Sequence, residues 1–153
     1  MQKIKVFLIS IVVIFVIAAA GVSGQSMQII DDLLATENAE FGDSVYMIAI
    51  GSGLADDSAT VSEAVELINK KGWNVSNKTA EHAITLGELS FVIMQALDVE
   101  GGIMYGLLPS PRYAVRELNY LGLIDGEAHP GNPVSGSDVI KILSGALEIK
   151  EAR

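Results

Sequence analysis

A chain of 153 residues without a single cysteine must hold its fold by burial alone, because disulfide support and a lipid-modified N-terminal cysteine are both excluded. That length suffices for one modest core and argues against a second independent domain. With 19 acidic against 10 basic residues the net charge is −9, a field that repels nucleic acid, anionic lipid and anionic wall polymers at long range.

The chain opens on Met1-Gln2-Lys3-Ile4-Lys5, followed by an apolar run from Val6 to Ala20 that only Ser10 interrupts, and then by small residues as far as Gly24. A basic start, a short apolar centre and a small-residue exit are the parts of a secretory signal. The run is shorter than the roughly 20 residues that span a bilayer comfortably. Residues 1–24 are therefore expected to be a signal peptide, cut after Ala20 or Gly24, or else retained as an uncleaved anchor that would be the only contact with the membrane. Either way the remainder is expected to be exported, to the periplasm or the cell surface. Loss of Lys3 and Lys5 leaves eight basic residues against 19 acidic ones and a charge of −11. Those eight cations are scattered along the sequence.

Two short helices are expected next, over 27–35 and 43–50, with Gly51-Ser-Gly-Leu54 ending the second. They make 25–55 an N-terminal helical segment, read as a diverged first repeat. Asp56-Asp57 lacks the alternating donors of a calcium loop and reads instead as charge ahead of a helix start. Thr60-Val-Ser-Glu63 and Thr85-Leu-Gly-Glu88 fit the capping box, in which hydroxyl and carboxylate reciprocally satisfy orphan backbone N–H groups. Ser135-Gly-Ser-Asp138 has the same form, and Ser110-Pro111 offers an N-cap with proline at the first helical position. Beyond these starts the apolar residues recur at helical spacing. Val61, Ala64, Val65 and Ile68 form one stripe; Leu89, Val92, Ile93, Ala96 and Leu97 a second; Ala114, Val115, Leu118 and Leu121 a third; Val139, Ile140, Leu143, Ala146 and Leu147 a fourth.

Residues Ala64–Leu97 align with Ala114–Leu147 at an unbroken offset of 50, with Asn69/Asn119, Gly72/Gly122 and Ala96/Ala146 among the identities. Gly72 and Gly122 fall where a left-handed C-terminal cap would stop the first helix of each unit. The expectation is an all-α protein of repeated helix–loop–helix units, with 56–153 forming one domain from units 60–97 and 110–147. The intra-unit loops are 74–83 and 124–133. Asn74-Val-Ser76 and Asn77-Lys-Thr79 fit the glycosylation acceptor pattern, which a bacterial-type chain rarely uses.

On these residues the chain resembles the S-layer homology module. Ala114-Val-Arg-Glu-Leu-Asn-Tyr-Leu-Gly-Leu-Ile-Asp-Gly126 is similar to its first helix and Leu-Gly turn. Ile84-Thr-Leu-Gly-Glu88 and Pro133-Val-Ser-Gly-Ser-Asp138 are similar to the Ile-Thr-Arg-Ala-Glu start of its second helix. The resemblance covers residues 60 to 148 and implies a helical bundle of three such units around a pseudo-threefold axis, anchoring proteins to cell-wall polysaccharide. The motif positions are Thr85, Leu86 and Glu88 in one unit and Ser135, Gly136 and Asp138 in the other. The family's ligand-contacting arginine is replaced by Leu86 and Gly136, neither of which can make a charge-assisted contact.

No nucleophile elbow, phosphate loop or dinucleotide fingerprint is present, and the two histidines, His82 and His129, sit in different units on loops read as solvated. No catalytic residue, metal or cofactor is expected. Two features point to contact with a partner. Gly101–Pro109 joins the units and carries Ile103, Met104, Tyr105, Leu107 and Leu108, which either fold back over the core or remain open as a patch. Trp73 closes the first repeated helix and is either buried or, with Tyr105, Tyr113 or Tyr120, able to stack on a sugar ring. The sequence thus reads as a non-catalytic exported module that associates with another envelope protein or, alternatively, as a cell-wall glycan or peptidoglycan anchor. A small envelope enzyme with an unrecognised site is the third reading.

Overall fold

In a computed structural model, residues 27–73, 75 and 78–152 are described; residues 1–24, expected from sequence to be a signal, and the asparagines Asn74 and Asn77 lie outside them. Seven helices account for the described fold, and no strand occurs among these residues. They are α1 (27–34), α2 (Phe41–Ser52), α3 (Val61–Lys70), α4 (Leu86–Leu97), α5 (Ile103–Leu107), α6 (Pro111–Tyr120) and α7 (Gly136–Glu151). The class is all-α, as the periodicity requires.

Helices α2, α4 and α7 touch one another pairwise and form the centre, with α3 packed on α2 and α6 on α4. Sequence explains the sorting. Both α2 and α4 are apolar nearly all round, burying Phe41, Val45, Tyr46, Ile48 and Ala49 in one and Leu89, Phe91, Val92, Ile93, Met94 and Leu97 in the other. By contrast, α3 and α6 bury one narrow stripe each, Ala64-Val65-Ile68 and Ala114-Val115-Leu118, and turn polar faces outward. Each large aliphatic or aromatic side chain taken fully out of water contributes about 1.5–3 kcal/mol, and in a chain without disulfides this is what opposes chain entropy. Leu33 of α1 and the α2 residues belong to the same buried cluster as the later helices. Residues 27–55 therefore contribute side chains to that interior.

The three central helices start side by side, and their first N–H groups are satisfied from other parts of the chain. Ala39 N–H donates to the Val134 carbonyl at 2.8 Å, and Ile84 N–H donates to Ala39 at 2.9 Å. At the first helical position, Phe41 N–H donates to His82 (2.7 Å), Leu86 to Asn132 (2.9 Å) and Gly136 to Thr36 (2.9 Å). One residue on, Gly42 donates to Ala80 and Gly87 to Pro130, each at 2.8 Å. Each loop thus caps the central helix of a neighbouring pair, which accounts for donors that an isolated helix leaves unpaired.

The caps read from sequence are present at Thr60 and Thr85, each with a complete box. Ser135 departs from that form. It accepts from Asp138 N–H, but Asp138 is too short to reach back to the backbone and instead accepts the Ser135 hydroxyl at 2.7 Å. Gly53, Gly72 and Gly122 adopt left-handed φ of 74°, 67° and 74° at the ends of α2, α3 and α6. Asn69 of α3 and Asn119 of α6 donate to the carbonyls of Lys78 (3.0 Å) and Ile124 (3.3 Å) beyond their helices. Asp56 does not act at a helix end; its carboxylate accepts the Ser58 N–H at 2.9 Å and closes a local turn.

Candidate functional site

The segment 101–109, read as a loop, contains a short helix held by one residue. Tyr105 is 6% exposed, sets its ring edge-on against Phe91 at 6.3 Å, and accepts a 2.8 Å hydrogen bond from Gln95 Nε2. Burial pushes its phenol pKa above the usual value. The other four apolar residues of the segment do not follow it inward. Ile103 is 82% exposed, Leu107 71%, Leu108 61% and Met104 44%. Of the two alternatives for 101–109, Tyr105 takes the buried one and its neighbours form an open apolar surface. Tyr105 is therefore removed from the set able to touch a partner.

Trp73 is partly buried against the core. Tyr120 is 86% exposed, and Tyr113 is half-buried on α6. With Tyr105 inside, the aromatic stacking set reduces to Trp73, Tyr113 and Tyr120.

The six motif positions are helix-start and core positions. Leu86 is 7% exposed beneath the Asn132 backbone, and Gly136 is buried against α1, whose Leu33 carbonyl fills the space of a side chain. Position 41, at the same place on α2, is a fully buried phenylalanine. Thr85, Ser135, Glu88 and Asp138 are occupied by capping. Glu88 does more than cap: Lys78 Nζ lies 3.1 Å from one of its oxygens, and His82 Nε2 lies 3.4 Å from the other without forming a hydrogen bond. Burial raises the Glu88 pKa, but the bonds from Thr85 and Lys78 outweigh burial and hold it below the ordinary glutamate range. The His82 Nε2 edge is thus buried beside a carboxylate, and the ring is not freely solvated.

The chain matches no protein-family model, no curated protein and no solved structure. Among the described residues, no group of three or more histidine or acidic side chains is placed to hold a metal ion, and no helix is long and apolar enough to cross a membrane.

One grouping escaped the sequence reading. Arg112 and Arg116 face a common groove together with His129, so the cations are less scattered in space than along the chain. The available signal was the i, i+4 spacing of the two arginines on a helix whose opposite stripe is apolar.

Proposed function

We propose that this chain is an exported, non-catalytic module of a bacterial-type envelope that associates with another envelope protein through the surface of α5. The observation that carries the reading is the outward projection of Ile103, Met104, Leu107 and Leu108 around the buried anchor Tyr105. A soluble domain gains nothing from holding four large apolar side chains in water, and contiguous apolar surface of this kind marks interaction sites. Tyr105 and its bond to Gln95 fix the helix on the frame, so the surface is pre-organised and costs little entropy to present.

The frame itself favours an S-layer-homology-like arrangement of three helix pairs, with 27–52 as the first. Support comes from the mutual contacts of α2, α4 and α7 and from backbone bonds that recur at their starts. Wall anchoring through the family's motif arginine has no counterpart here, because positions 41, 86 and 136 are buried. Association through a protein partner is therefore the reading we adopt.

The test is retention of the purified processed chain on washed cell envelopes, compared with the double variant Ile103→Ser/Leu107→Ser and with envelopes stripped of protein by protease. The account expects retention that tolerates moderate salt, falls at least tenfold in the variant and disappears after protease. Equal retention of variant and parent, or retention on bare sacculi, would overturn it.

A further inference from the structure

The groove on the outer face of α6 has a chemistry unlike the rest of the molecule. It is an open groove of about 650 Å³ between α6 and the 128–130 turn, and Arg112, Tyr113, Arg116, Asn119 and His129 line it without a carboxylate among them. In a processed chain carrying eight basic residues against 19 acidic ones, two arginines one helical turn apart on a single concavity are a local reversal of sign. Neither guanidinium lies within ion-pair distance of a carboxylate among the described residues, whereas exposed Lys70 and Lys141 are paired with Glu66 and Asp125. At the offset of 50, Arg112 and Arg116 correspond to Ser62 and Glu66, so the groove belongs to one unit only and is not a by-product of the shared helix–loop–helix shape.

The walls are ordered. His129 Nδ1 accepts the Gly131 N–H at 3.1 Å, which fixes the ring and leaves Nε2 as the proton-bearing nitrogen. Asn119 Nδ2 donates one N–H to the Ile124 carbonyl at 3.3 Å, which orients the amide. Tyr113 packs against the core and supplies a flat half-buried flank. Guanidinium forks match planar oxyanions through paired N–H donors, and a free lysine would not offer that geometry. The volume exceeds what a lone inorganic ion fills and falls in the range of sites for small organic molecules, about 300–1,000 Å³.

We infer that this groove is a binding site for a carboxylate or phosphate group carried on an organic molecule, read by Arg112 and Arg116 with the His129 ring beside them. The acidic remainder of the surface repels anions, so binding is local, modest in affinity and sensitive to salt. This goes beyond the α5 reading and stands or falls apart from it.

The test is an NMR titration of the full processed chain, following the Arg112 and Arg116 side-chain N–H signals and the His129 ring, with glucuronate, glucose 6-phosphate and inorganic phosphate as probes. Saturable shifts confined to the groove, at least threefold tighter for an organic anion than for inorganic phosphate, are expected. Arg112→Gln and Arg116→Gln should each weaken binding about tenfold while leaving the melting temperature unchanged. Polygalacturonate against galacturonate at equal carboxylate concentration separates a polymer from a free small ligand, and tighter binding of either supports the site. Absence of saturation, equal affinity for inorganic phosphate, or an undiminished response in the arginine variants would each refute the inference.

Discussion

The carbonyl oxygen of Leu33 occupies the volume that a side chain at Gly136 would need; a Cβ built there overlaps it. The same glycine donates its N–H to Thr36 at 2.9 Å, so α1 docks on the start of α7 through the bare backbone. Position 136 therefore has no room for any side chain, because it faces α1. Gly136→Ala is expected to destabilise the fold by more than about 3 kcal/mol, since backbone must move to admit the methyl group. A thermal melt checks it, and a variant melting within a few degrees of the parent would show that α1 does not dock there.

Glu88 gives a stability contribution with a defined pH window. Its folded pKa lies below the ordinary value of 4.5, so the contribution is fully present above that value and is lost as pH falls through the lowered one. Glu88→Ala removes the capping acceptor and the partner of Lys78, and is expected to cost about 1–2 kcal/mol at neutral pH. Denaturant unfolding at pH 7 and at pH 3 should show the cost shrinking at the acidic end. A cost that does not depend on pH would assign Glu88 a packing role only.

Ser90 is fully buried on α4, and its hydroxyl finds no hydrogen-bond partner among the described residues. An unsatisfied buried hydroxyl costs free energy, and alanine is the better helix former. Ser90→Ala is therefore expected to stabilise by up to about 1 kcal/mol, read from the denaturation midpoint. A loss of similar size would mean that the hydroxyl has an interaction the static geometry lacks.

Within α5 the residues should separate cleanly by burial. Tyr105→Ala is expected to cost about 3 kcal/mol and Tyr105→Phe about 1 kcal/mol, because the second leaves Gln95 without its partner. Ile103→Ser and Leu107→Ser should stay within about 0.5 kcal/mol of the parent. If the serine variants unfolded the protein, the apolar surface of α5 would be part of the core.

What could be read in the sequence was local. The helix starts at Thr60, Thr85 and Ser110 announce themselves by side-chain chemistry, and Gly72 and Gly122 mark helix ends because the left-handed turn there suits glycine. The start of α2 was invisible for the complementary reason. Glu40 makes no side-chain cap, and the N–H groups of Phe41 and Gly42 are satisfied by His82 and Ala80, some forty residues away. Helix α5 is too short for periodicity to register, and its docking depends on Phe91 and Gln95 of another helix. The arginine groove was half legible: the spacing of Arg112 and Arg116 puts both on one face, but the wall carrying His129 is brought opposite only by the fold.

The central structural claim is that the N-terminal helix pair belongs to the same interior and the same ring of helix starts as the two later pairs. Native-state amide hydrogen exchange, resolved by residue, tests it most directly through Ala39, Phe41, Ile84, Leu86 and Gly136. The account predicts that all five amides exchange only with global unfolding, at one common free energy. Rapid exchange of Ala39 and Phe41 beside protected Ile84 and Leu86 would contradict it, leaving a two-unit domain with an unattached N-terminal segment.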